Sequence, residues 1–149
     1  MKIGVDLGGT KVKAGVESNG SIIQQNTIML QQKESLSSTL AQLIDLIKPL
    51  TQYPVSSIGI GVPSVVDVER GIVYNVTNIP SWEKVELKYI LEEEFNLPVS
   101  VNNDVNCFTL GEHLFGMAKN YNSVVGMTIG TGLGSGIIID NQLYTGNNC

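Results

Sequence analysis

Asp6, Thr10 and Lys11 flank the pair Gly8-Gly9 near the start of the chain, in the run Ile3-Gly4-Val5-Asp6-Leu7-Gly8-Gly9-Thr10-Lys11. One loop therefore offers a carboxylate, a hydroxyl and a cation around almost bare backbone. The carboxylate suits a hydrated Mg²⁺, and main-chain N–H groups beside a hydroxyl and a lysine suit phosphate. Apolar alternation on both sides predicts a β-hairpin, with strands over 2–8 and 11–17 and glycines at the tip that permit positive φ and close approach of a ligand. An ordinary tight hairpin with a charged exit accounts for the same residues, because short glycine motifs are frequent by chance.

Residues 123–139 repeat the pattern, with the apolar run Ser123-Val124-Val125-Gly126-Met127-Thr128-Ile129, a turn holding Thr131 and Gly132, and a second apolar run ending Ile137-Ile138-Ile139. A dinucleotide fingerprint counted from Gly130 needs its third glycine at Ser135 and a helix afterwards, whereas a β-branched run follows. A Walker A loop is missing from the sequence. Two glycine hairpins far apart in the chain remain, each suited to grip phosphate from one side.

The elements that position these loops follow from periodicity. Asn19-Gly20 marks a hairpin turn into a third antiparallel strand over 21–30. Leu36, Leu40, Leu43, Ile47 and Leu50 recur at helical spacing, and Pro49 approaches the end of that helix. Ser57 to Val62 is a short apolar run stopped by Pro63, consistent with a buried strand reached by a helical crossover. The stretch from Pro63 to Trp82 carries Ser64, Asp67, Arg70, Asn75, Asn78 and Trp82, side chains that can bond sugar hydroxyls but equally suit a surface excursion. Leu87, Ile90, Leu91 and Phe95 form a second helical stripe, ended by Asn96 and Pro98. A fifth strand over 98–102 then leads into a third helix opened by Asn103-Asp104. Asp104 thus stands where a strand end meets a helix start, the place where open α/β sheets bind ligands, although an acid in a helix first turn needs no further role. His113 is expected on the helix surface, and Asn141-Gln142 is expected to form a last turn.

Composition narrows the class. A chain of 149 residues, 42% hydrophobic and 15% charged, is long enough for one globular core and has no apolar run of membrane-spanning length. The net charge of −5 argues against a nucleic-acid partner. Cys107 and Cys149 have no metal-ligand spacing and are expected to be free thiols. Without a signal-peptide pattern, a cytoplasmic protein is expected, and the sequon Asn75-Val76-Thr77 is then silent.

Five motifs in order, DLGGTK at the N-terminus, GVPSVVD at 61–67, NIPSW at 78–82, NNDVN at 102–106 and IGTGLGSG at 129–136, resemble the ROK family of glucokinase-like sugar kinases and related repressors, within the actin-like ATPase superfamily. The resemblance implies an α/β fold with a ribonuclease H-like lobe, a mixed five-stranded sheet with helices over 1–118, and the opening β-hairpin of an incomplete second lobe over 119–149. It implies ATP-dependent phosphorylation of a hexose or N-acetylhexosamine, with ATP and Mg²⁺ as cofactors. Asp104 is then the catalytic base. A carboxylate is a weak base at neutral pH, so it orients the hydroxyl and accepts the proton late. Ser64, Asn78, Asn103 and Asp104 would hold the sugar, Asp6 the Mg²⁺ through water, and Gly8, Gly9, Thr10, Lys11, Thr131 and Gly132 the phosphates. Ser64 departs from the glycine usual after this proline, so sugar identity does not carry over.

A sugar-sensing regulator and an actin-like assembly protein are the rival readings. The family's repressors carry a DNA-binding domain before the DLGGT motif, which begins here within a few residues of Met1; NIPSW and NNDVN favour a sugar site over a purely structural role. The family's further sugar ligands and adenine site fall after the last residue here, so the chain alone is expected to be inactive and to dimerise through residues 123–145.

Overall fold

The computed structural model describes residues 1–130 and 132–146. Strands β1 (Lys2–Leu7), β2 (Lys11–Ser18) and β3 (Ser21–Met29) form an antiparallel meander, turned between β2 and β3 by Asn19 and Gly20 at φ 53° and 80°. Both turn residues hold the positive φ that a tight two-residue turn of this hand requires. A register shift between Val16 and Glu17 interrupts the β2–β3 ladder. The chain then crosses over to β4 (Ile58–Val62) beside β1 and to β8 (Val99–Asn103) beside β4, both parallel, giving a mixed sheet of order β3-β2-β1-β4-β8. The expected five-stranded mixed sheet is the sheet observed.

One face of that sheet makes the core. Ile3, Val5 and Leu7 alternate inward along β1, and their parallel neighbours Ile58 and Ile60 face the same way. Helix α1 (Leu36–Ile47), capped by the Ser35 hydroxyl accepting from the Ser38 N–H at 3.2 Å, adds Leu43, Leu46 and Ile47, and the 3-10 turn Lys48–Gln52 adds Leu50. Helix α2 (Leu87–Phe95) buries Leu87 and Leu91 and ends on Asn96 at φ 51°. Asparagine tolerates this left-handed position better than most side chains.

The stretch after Pro63 is more ordered than a polar excursion. Strands β5 (Val65–Asp67), β6 (Ile72–Tyr74) and β7 (Lys84–Val85) pair into a small antiparallel sheet, and Val66, Val73, Val76, Ile79 and Val85 are buried. Trp82, grouped in the sequence with the candidate sugar contacts, is instead a core residue, 1% exposed, with its indole N–H donating to Thr39 Oγ1 at 2.7 Å. Strands of two or three residues are too short to show a period, which is why this sheet is invisible to pattern reading.

Helix α3 (Asp104–Leu114) packs between β4 of the main sheet and a second antiparallel sheet made of β9 (Val124–Ile129), β10 (Leu133–Ile139) and β11 (Gln142–Tyr144). Glycine makes that close approach possible. A Cβ at Gly126 or Gly136 would lie 2.2 or 2.4 Å from Thr109 Oγ1, and one at Gly134 2.5 Å from Val105 Cγ2. Covered on two sides, the helix buries His113 to 8% exposure and leaves its Nδ1 without a hydrogen-bond partner among the described residues. The surface position expected for His113 is corrected accordingly. The last turn falls on Asp140-Asn141, at φ 49° and 64°, one residue earlier than expected.

Two stability predictions follow from these contacts. Thr39→Val strands the buried indole N–H of Trp82 and should cost about 1–3 kcal/mol in urea unfolding. Gly136→Ala forces a methyl against Thr109 and the Val105 carbonyl, 2.9 Å from the added Cβ. Overpacking of this kind should cost about 1–3 kcal/mol, read as a lower midpoint of chemical unfolding.

Candidate active-site cleft

Three parallel strands, β1, β4 and β8, present their carboxyl ends side by side. Asp6, the last residue but one of β1, lies opposite Gly61 of β4, and Val62 lies opposite Asn103 of β8. The loops leaving β1 and β4 carry Gly8-Gly9 and Pro63-Ser64, and α3 opens on Asp104 directly after β8, so the strand register alone gathers most of the residues singled out in the sequence. Asp6 points to the sheet face away from the main core, the face on which α3 lies. Gly61 lets the helix come close: a Cβ there would stand 3.3 Å from Asp104 Cα and 3.4 Å from Cys107 Sγ. A cavity of about 420 Å³ results, with Asp6, Asp104, Gly61, Cys107, Phe108 and Thr128 among its walls.

The start of α3 is built by asparagines. Asn103 Oδ1 accepts from the N–H groups of Val105 and Asn106 at 2.9 and 3.2 Å, satisfying two donors that a helix start leaves open. Its amide donates to the Ser64 carbonyl at 3.3 Å, joining the β4 loop to the helix. Asp104 Oδ1 also accepts from the Val105 N–H, at 2.9 Å. Asn106, buried, donates to Asn102 Oδ1 at 3.3 Å. Asn103 is therefore committed to holding Asp104 and the Ser64 loop in place, with one amide hydrogen left for a ligand. The Ser64 hydroxyl donates to the Tyr74 carbonyl, which ties it to the small sheet.

Glycines at the first hairpin serve space, and neither Gly8 nor Gly9 uses the positive φ open to it. The Gly8 N–H donates to the Lys11 carbonyl at 3.1 Å, and an added Cβ there would lie 2.6 Å from that oxygen. Gly9 lies against Asn78 of the 78–82 loop. In the second hairpin, Gly130 donates to the Gly132 carbonyl at 2.9 Å, and both have open space beside Cα. Thr131 and Cys149 lie outside the described residues.

Thr10 and Lys11 are exposed at the hairpin exit, and Gly132 is exposed at the second tip, so neither group shares the walls of the Asp6–Asp104 cavity. Asn103 also borders a second cavity of about 310 Å³ with Ser135 and Tyr144. Sequence reasoning missed Lys13, which stands directly across the ladder from Asp6. The signal was present, because a hairpin that pairs Leu7 with Val12 must pair Asp6 with Lys13. Thr128 and Phe108 were missed as well, since only the packing of α3 against β9 brings them to the cavity.

The sequence profile described as "ROK family" matches residues 2–149. The chain is 36% identical over 152 residues to a glucokinase of Streptomyces coelicolor, covering 99% of this chain and 46% of that protein. It is 35% identical over 158 residues to a xylose repressor of Bacillus spizizenii, covering 97% of this chain and 40% of the repressor. The crystal structure of a ROK family glucokinase from Streptomyces griseus in complex with glucose and AMPPNP superposes with a TM-score of 0.89 at 35% identity, over 99% of this chain and 47% of that one. The chain thus spans about half the length of these relatives. With an actin-like lobe, its motifs in order and a profile match along nearly its whole length, the chain belongs to the ROK family.

Proposed function

We propose that this chain supplies one wall of the cleft of an ATP-dependent kinase acting on a hexose or N-acetylhexosamine. The observation that carries the reading is the pairing of Asp6 and Asp104 on one cavity at the carboxyl ends of parallel strands. The similarity to glucokinases, one of them with glucose and AMPPNP bound, supports it.

Phosphoryl transfer needs little covalent work from the protein and much positioning. A sugar hydroxyl attacks the terminal phosphorus of ATP, the bond to the bridging oxygen breaks, ADP leaves, and the hydroxyl proton passes to Asp104. The N-cap and the Val105 N–H fix that carboxylate before any ligand arrives. Asn78, Ser64 and the free amide hydrogen of Asn103 serve the sugar side. Backbone at Gly8, Gly9 and Gly132, with Thr10, Lys11 and Thr131, serves the phosphates. Two carboxylates facing one cavity fit a hard cation such as Mg²⁺, with Asp6 as the holder through water. Bound there, Mg²⁺ would neutralise charge on the transferring phosphoryl group. Residues 1–118 and 119–149 are assigned to a first lobe and the opening of a second.

A sugar-sensing regulator is the second reading, supported by the similarity to xylose repressors. Turnover separates the two. In a chain extended to the length of the kinase relatives, Asp104→Asn should lower turnover by a factor of about 100 or more while hexose affinity stays within about tenfold, because the amide keeps the shape but cannot take a proton. Retention of a tenth of the rate would remove Asp104 from the base role.

The 149-residue chain by itself should be inactive and dimeric. Val125, Met127, Ile129 and Leu133 expose an apolar face on β9 and β10, and burying it against a second copy is favourable. Light scattering with a coupled ADP-release assay checks this, and a monomer with ordinary kinase turnover would refute it.

A further inference from the structure

Gly9 and Asn78 are 69 residues apart and touch. A Cβ built on Gly9 would fall 2.1 Å from Asn78 Cβ and 2.8 Å from its Cγ and Nδ2. Overlap with a Cβ cannot be relieved by a rotamer change, because that atom is fixed by the backbone. Neither backbone is free to retreat. On the Asn78 side, the Ile79 N–H donates to the Val76 carbonyl at 2.9 Å, the Trp82 N–H to the Ile79 carbonyl at 2.9 Å and the Val76 N–H to the Trp82 carbonyl at 3.0 Å, with all three side chains buried. On the Gly9 side, the Gly8 N–H donates to the Lys11 carbonyl and the Leu30 N–H to the Thr10 carbonyl at 2.8 Å. Two anchored turns meet with only the missing side chain of Gly9 between them.

We propose that Gly9 is a positioning residue for Asn78: its bare Cα is the seat on which the sugar-facing amide rests, so the hairpin assigned to phosphate also sets the geometry of the sugar wall. The assignment rests on the kinase reading for the roles of the two walls and on the coordinates alone for the contact. It gives Gly9 a purpose that a phosphate turn does not require. Its N–H can face phosphate while its Cα face supports Asn78, so a methyl at residue 9 is directed at the sugar loop rather than at the nucleotide.

The test is a double-mutant cycle in this chain with Gly9→Ala, Asn78→Gly and the pair together, since removing Asn78 Cβ vacates the space the new methyl needs. Gly9→Ala should lower the melting temperature and move the backbone amide resonances of Thr77 and Ile79. In the Asn78→Gly background the same substitution should do neither to a comparable extent. Additive melting shifts, or unmoved Thr77 and Ile79 resonances in Gly9→Ala, would overturn the contact. Calorimetry with glucose and with AMPPNP, on a chain extended to the length of the kinase relatives, supplies the functional arm. Gly9→Ala should weaken glucose at least tenfold and AMPPNP by less than about threefold; the opposite order would overturn the positioning role. If the unsubstituted extended chain bound neither ligand, the kinase reading would fail, and the cycle would still decide whether Gly9 seats Asn78.

Discussion

Parallel pairing of β4 with both β1 and β8 is the constraint on which the cleft depends. Parallel strands in register end on the same side, so two loops and the start of α3 must converge there whatever their sequences. A one-residue slip of β4 against β1 would turn Ile58 and Ile60 out of the core and replace Gly61 beside α3 by a β-branched side chain. The apolar alternation of these short strands therefore secures the geometry of Asp6 and Asp104 as well as the core.

Glycine does different jobs at positions that look alike in the sequence. Gly20 supplies a positive φ, Gly9 and Gly61 allow close approach, and Gly126, Gly134 and Gly136 make room for Thr109 and Val105 on the helix above them. In the second glycine-rich stretch, only Gly130 and Gly132 stand at the tip with open space beside them. Much of what reads there as a phosphate signature is a packing surface. A motif search counts glycines, and only the fold divides them by cause.

Elements with a clear period were legible before any coordinates. The β1–β2–β3 meander, α1, α2 with its Asn96 end, and the strand-to-helix junction at Asn103-Asp104 all follow from alternation, helical spacing and end signals. What stayed hidden depended on contacts between distant segments. Trp82 sits among polar residues in the chain, yet Thr39, 43 residues away, satisfies its indole. His113 lies on a helix whose apolar residues show no single stripe, and only a second sheet on its far side explains the burial. The role of Asn103 was legible as a residue type and not as a task, because its amide reaches Ser64 only once β4 and β8 are paired.

Strand β3 closes the outer edge of the main sheet, and its makeup limits what the sheet can become. Residues Gln24, Gln25 and Asn26 line its middle, and the register shift between Val16 and Glu17 bends the ladder beside it. A strand arriving from solution would have to follow a backbone that is no longer straight, because the ladder pairs Val16 with Gln24 but Glu17 with Ile22 and so leaves Ile23 as an extra residue in β3. That irregularity, rather than the side chains, is what makes the free backbone groups of β3 a poorer template for a sixth strand.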